Sequence, residues 1–121
     1  MTQFLKKYDL EERTARYGED VIEFCQTIKP DGITKPIINQ LIRSATSIGA
    51  NYMEANGASS RLDFRNKIFI CKKEDQETKH WFRMIAKCVP ARVDAVRKLW
   101  KECQELTLIF QKIGSSASLK R

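Results

Sequence analysis

The sequence predicts an all-α protein, specifically an up-down-up-down antiparallel four-helix bundle, and three observations carry that reading. Apolar residues recur at alternating steps of three and four along most of the chain, the spacing that lines one side of a helix. Strand-like alternation is absent, and five glycines and three prolines are few enough to mark helix ends. The segments between those marks run to about 20 to 28 residues with short turns, which makes consecutive helices antiparallel neighbours. At 121 residues and 42% hydrophobic content, the expected organisation is a single domain over 1–121.

Residues 1–8 read as a lead-in, with Phe4 and Tyr8 expected to fold back on the bundle. The first helix is predicted over about 9–29, with Asp9 as its cap and Leu10, Thr14, Tyr17, Val21, Phe24 and Ile28 as a heptad-like stripe. Pro30, Asp31 and Gly32 then make a turn. The second helix, over 35–56, has Thr34 as its expected cap, Pro36 in its first turn and Gly57 at its end. Its stripe is Ile38, Leu41, Ala45, Ile48, Tyr52 and Ala55. Beside the stripe stand Arg43, Ser44, Ser47, Ala50, Asn51 and Glu54, small or hydrogen-bonding residues that let another helix come close.

Ser59 and Ser60 begin the third helix, 61–88, and Ser60 with Asp63 has the spacing of a capping box with a shortened acid. This helix carries two adjacent stripes. One is Phe64, Ile68, Cys71, Asp75, Thr78, Phe82 and Ile85; the other is Lys67, Ile70, Glu74, Glu77, Trp81, Met84 and Cys88. Two stripes imply a wide buried face with polar groups in its middle. Val89 and Pro90 interrupt the pattern. The fourth helix, 91–113, aligns Val93, Val96, Trp100, Cys103, Thr107 and Phe110, with Leu99, Leu106 and Ile113 beside them, and Gly114 is its expected stop. The small, basic tail 115–121 is expected to be disordered.

The chemistry-bearing residues do not assemble into a catalytic signature. Glu77 and His80 have the ExxH spacing of ferritin-like metal sites, but such sites need two histidines and further glutamates, and this chain has one histidine. Glu54, Glu74, Glu77 and Glu102 as a carboxylate cluster leave a carboxylate–metal enzyme as an outside alternative. The serines lack a neighbouring histidine, and no phosphate-cradling glycine loop occurs. A non-enzyme without cofactor or metal is therefore expected. Arg43, Asn51, Glu54, Glu74 and Glu77 read instead as a buried polar network fixing helix register, in which Arg43→Ala would cost on the order of 3 to 5 kcal/mol. Cys25, Cys71, Cys88 and Cys103 lie far apart without a CxxC pair and read as buried, reduced thiols.

The charge is uneven. Residues 1–35 hold six Lys or Arg against seven Asp or Glu, whereas the remainder holds 16 against eight, so the net +7 belongs to the later helices. A polyanion is the natural partner of such a surface, because lysines and arginines release its counterions; a merely solvated surface is the plain alternative. The candidate contacts are Arg61, Arg65, Lys72, Lys73, Lys79, Arg83 and Lys87 on the third helix and Arg97, Lys98 and Lys101 on the fourth. They are not expected to interleave with exposed aromatics, so phosphate contact without base readout is the expected mode. The opening MTQFLKKYDL contains no run suited to a signal peptide, and no stretch approaches the roughly 20 apolar residues of a membrane span, so a cytoplasmic protein without a membrane partner is expected.

The runs QLIRSATSIGANYMEA, SSRLDFRNKIFICKKEDQETKHWF and KECQEL resemble the small four-helix-bundle proteins encoded in intervening sequences of bacterial large-subunit (23S) ribosomal RNA genes. The resemblance covers about Asp9 to Ile113 and rests on RSATSIGAN, Glu54-Ala55, Asp63-Phe64, Lys73-Glu74, Glu77 and Trp81. Asp75, where the family usually has a small residue, and His80, where an aromatic is common, depart from the pattern. Related proteins similar to the accessory variability determinant of diversity-generating retroelements are basic pentamers that bind nucleic acid and a reverse transcriptase. The resemblance thus implies a homopentamer, a bacterial source and RNA or DNA, or a nucleic-acid-processing protein, as partner. It carries no active site. The leading expectation is a non-enzymatic oligomeric bundle that binds structured RNA or DNA through a basic surface. A protein-interaction scaffold with no nucleic-acid role is the alternative.

Overall fold

The computed structural model describes residues 9–119, with side chains through 116. Each predicted stripe forms a helix: α1 Leu10–Gln26, α2 Thr34–Asn56, α3 Arg61–Cys88 and α4 Val93–Leu119, with a 3₁₀ turn at Pro90–Arg92 before α4. Cross-helix contacts run in opposite chain directions at every junction. Thr14 meets Gly49 while Gly18 meets Thr46. Glu54, Ile48 and Ser44 on α2 bond Lys67, Cys71 and Thr78 on α3. Gly114 lies by Ile68 whereas Gln104 bonds Lys79. The architecture is therefore an antiparallel four-helix bundle. Among the described residues, no helix is long and apolar enough to cross a membrane. The positions expected for Phe4 and Tyr8 lie outside the described residues.

The helix ends differ in informative ways from the sequence expectation. Asp9 takes a left-handed conformation (φ 46°) and makes no side-chain cap. α1 closes at Gln26, three residues early, because Thr27 and Ile28 turn their N–H groups to Phe24 and Cys25, tightening the last turn. Thr34 is the first helical residue of α2 and not its cap; the Asp31 carboxylate accepts from the N–H groups of Ile33 and Thr34, both at 2.8 Å, while Asp31 N–H donates to the Thr34 hydroxyl at 2.9 Å. Those bonds hold the Asp31 carboxyl below its ordinary pKa. At α3, Ser60 accepts from Asp63 N–H at 3.0 Å, and Asp63 reaches back to Ser59 N–H at 3.2 Å, a capping box displaced by one residue.

α4 begins at Val93 because Pro90–Arg92 forms the 3₁₀ turn, and it continues through Gly114 to Leu119. Residues 115–119, expected in a disordered tail, are thus helical. Gly114 does not stop the helix because its φ is not positive. Its bare α-carbon instead faces α3, where an added Cβ would lie 3.9 Å from Ile68.

The stripes bury much as their spacing predicts. The α1 stripe from Leu10 to Ile28 is buried, as are Leu41, Ala45, Ile48, Tyr52 and Ala55 of α2 and the whole first stripe of α3. On α4, Val96, Cys103, Leu106, Phe110 and Ile113 enter the core, but Trp100 stays 40% exposed. Cys25, Cys71 and Cys103 are buried free thiols, while Cys88 is half-buried. Burial raises the Cys25 thiol to about 11 and the Cys71 thiol to about 12, and pushes Cys103 higher still.

The polar centre of the core is not the expected arginine network. It is Asp75, which is 0% exposed. Cys103 Sγ donates to Asp75 Oδ1 at 2.9 Å, the Thr107 hydroxyl donates to Oδ2, and Tyr17 beside them donates to the Leu99 carbonyl at 2.8 Å. A second buried bond, Thr78 Oγ1 to Ser44 Oγ at 2.9 Å, ties α3 to α2. Desolvation is the main cause that raises the Asp75 carboxyl to about 6; Cys103, Thr107 and Lys79 oppose the rise, and Glu102 adds to it. A raised folded-state value means that the contribution to stability is full below the unfolded value near 4 and is lost as pH climbs through 6. Asp75→Asn should therefore melt above the parent at pH 8, by an amount on the order of 3 kcal/mol at most. The gap should close by pH 4, as thermal unfolding at the two pH values will show. A variant less stable than the parent at pH 8 would contradict this.

Candidate nucleic-acid interface

The third helix decides where charge goes. Arg61, Arg65, Lys72, Lys79 and Arg83 are separated by four, seven, seven and four residues, steps that return to one side of a helix. That side faces α4. Lys79 Nζ donates to Gln104 Oε1 at 2.7 Å, and Arg65 and Lys72 line a groove whose far wall is Phe110, Gln111, Gly114 and Ser115. Lys87 follows one turn beyond Arg83 and is exposed, as is Lys73, which stands further from the groove. On α4, Arg97 and Lys101 are exposed, Arg97 lying 3.8 Å from Asp94. Lys98 is the exception. It lines a cleft between α1 and α4 together with Asp20, Glu23 and Glu102, and so belongs to a surface of mixed charge.

The carboxylates of α3, and Glu102 and Glu105 of α4, are engaged elsewhere, while Asp94 stands exposed beside Arg97 at the start of α4. Asp63 serves its cap, Glu74 and Glu77 turn toward Arg43 on α2, and Asp75 is buried. Glu102 takes Arg13 in a bidentate pair at 2.7 and 2.8 Å, and Glu105 lies 3.3 Å from the same guanidinium. The hydrogen bond with Glu102 is the largest reason the Arg13 pKa is raised. The outer surface shared by α3 and α4 is consequently basic, with Gln76, Gln104 and Gln111 as its polar spacers.

Contrary to the sequence expectation, this surface is interleaved with aromatics. Phe69 is 67% exposed on α3, and Trp100 carries Lys79 Nζ 5.4 Å from its ring centroid. Leu62 and Leu108 are also exposed alongside. Phe69 falls on neither apolar stripe of α3, a signal legible in the sequence. Trp100 was hidden because its spacing to Val96 and Cys103 fits the stripe while its side chain sits at the stripe's α3-facing edge.

The expected network of Arg43, Asn51, Glu54, Glu74 and Glu77 forms only in part, and at the surface. Arg43 bonds Glu74 at 3.4 Å and pairs with Glu77, yet its side chain is 46% exposed. Trp81 Nε1 also donates to Glu77, at 3.2 Å. Asn51 turns back to the Ser47 carbonyl of its own helix, and Glu54 pairs with Lys67 at 2.7 Å. The carboxylates considered as a metal cluster are thereby dispersed over three separate cations, Lys67, Arg43 and Arg13. Among the described residues, no three His, Cys, Asp or Glu side chains converge. His80 is exposed, its ring edge-on to Trp81 at 4.9 Å.

Fold and surface together define a four-helix bundle with one basic flank. The family model described as 23S rRNA-intervening sequence protein matches residues 6–112, and the chain belongs to that family. A solved structure, a protein of unknown function from the S23 ribosomal protein family of Bacteroides thetaiotaomicron, is similar at 24% identity with a TM-score of 0.76, covering 87% of this chain and 97% of its own. That likeness shows the shared fold. No curated protein matches the chain.

Because Arg43 is half in solvent, its pairs are worth little against screening and side-chain entropy. Arg43→Ala should lower stability by about 1 kcal/mol or less in chemical denaturation, in place of the larger loss that a buried network would give. A loss of several kcal/mol would restore the buried reading.

Proposed function

We propose that this chain is a non-enzymatic nucleic-acid-binding protein that holds the phosphate backbone of RNA or DNA against the outer surface of α3 and α4. The observation that carries this reading is the segregation of charge. Five cations share one side of α3, while the acids of α3 lie on its α2 flank, in the cap or in the core. Glu102 and Glu105 of α4 turn to Arg13, and Asp94 stands at the start of α4 beside Arg97. A surface kept soluble by scattered charge has no need of such sorting, because mixed signs serve solubility equally well. Aligned cations, by contrast, gain together when one polyanion displaces their counterions. The three buried thiols, their ionisation suppressed by burial, do not supply a nucleophile.

The reading includes self-association, with the pentamer implied by the family resemblance as the expected stoichiometry. Exposed Met53 and Ile33, outside the basic surface, add apolar area for it. Sedimentation at micromolar concentration tests that part, and a monomer would refute it. A nucleic-acid-processing protein as a further partner is compatible with the same surface.

Reversing Lys72 and Arg83 to glutamate should weaken binding of a ribosomal RNA hairpin by more than tenfold and lower the salt slope of log K by about 2. Fluorescence anisotropy over a range of KCl concentrations measures both, with an unchanged melting temperature as the control. Affinity unaffected by the reversals, or binding indifferent to salt, would leave the scaffold alternative standing.

A further inference from the structure

Resting on that reading, we infer that the α3–α4 surface takes unpaired nucleotides, stacking bases on Trp100 and Phe69 while the cations between them hold the phosphates. The geometry points to this because two aromatic side chains stand in solvent within the basic stripe, where solubility alone would disfavour them. Phe69 is 67% exposed and lies one turn from both Arg65 and Lys72 in sequence. Trp100 is 40% exposed, and Lys79 is fixed beside it by two contacts, its Nζ 5.4 Å from the ring centroid and 2.7 Å from Gln104 Oε1. A duplex offers phosphates at its surface but keeps the faces of its bases stacked inside, so exposed rings add nothing to holding it. An unpaired strand offers both, and base–aromatic stacking suits any base because each has a π face.

The spacing of the two rings fits a strand and not a single base. Ile68 lies level with Gly114 and Lys79 reaches Gln104, so Phe69 sits near the C-terminal part of α4 while Trp100 sits toward its start. At 1.5 Å per residue, the two rings are separated by roughly 20 Å along the bundle. Lys72 lies between them on the groove wall. The groove floor is Ile68 and Phe110, and no carboxylate lines it. A run of several nucleotides, with a base at each end on an aromatic ring and phosphates over the lysines, matches this order of groups.

The test compares labelled 12-nucleotide single strands, one of RNA and one of DNA, with the same sequences annealed to their complements, at one salt concentration. The expected result is that single strands of at least one sugar bind about tenfold or more tightly than their duplex. Trp100→Ala should weaken single-strand binding at least fivefold and duplex binding far less, with little change in the salt slope. Trp100→Phe, which keeps a stacking face, should retain most of the affinity, and circular dichroism of both variants confirms the helical fold. Equal binding of single strand and duplex, indifferent to Trp100→Ala, would overturn the stacking inference and leave phosphate binding intact. Absence of binding to every strand would overturn the nucleic-acid reading itself.

Discussion

α3 has to pack against two neighbours at once, and that constraint organises the molecule. Its first stripe enters the core, its second leans on α2, and what remains faces outward beside α4. A helix flanked on both sides has only a narrow solvent arc, so its charges must divide between the seam with α2 and the groove with α4. Glu74 and Glu77 go to the first, where Arg43 meets them. The cations Arg65, Lys72 and Lys79 go to the second, where α4 supplies glutamine amides and an indole but no acid. The row of cations on α3 thus follows from the packing of that one helix.

The same helix places a carboxylate at the centre of the core. Asp75 receives a thiol and a hydroxyl from α4 and no buried cation, which is the arrangement that makes ionisation costly. Cys103 and Thr107 satisfy both of its carboxylate oxygens. The bond geometry fixes α3 against α4 in both rotation and height. This matters for the groove, because the facing of Lys79 on Gln104 and Trp100 depends on that register.

Much of the fold was legible in the sequence. Period and length gave four helices, and the α1 stripe and the first α3 stripe were read residue for residue. Helix ends were read less well, because caps depend on backbone angles that residue type only biases: Asp9 is left-handed, Asp31 replaces Thr34, and Gly114 serves close packing in place of termination. The site was legible only as a set of cations. The steps of seven between Arg65, Lys72 and Lys79 place them on one side of α3, but the position of the acids relative to them depends on which neighbour each side faces. The buried network was misassigned for a related reason. Arg43 lies beside the α2 seam by count, yet its length carries the guanidinium past the seam into solvent, whereas the short side chains of Ser44 and Thr78 stay inside.

The claim that joins these points is that one flank of the bundle, α3 with α4, is where nucleic acid lies. Photocrosslinking of a 4-thiouridine-containing RNA strand to the protein, with the adducts located by mass spectrometry, tests it most directly. The account predicts adducts on peptides containing Phe69, Lys72, Lys79 and Trp100, suppressed by competing unlabelled strand. Adducts confined to α1 or to the α2 face around Arg43 would contradict it.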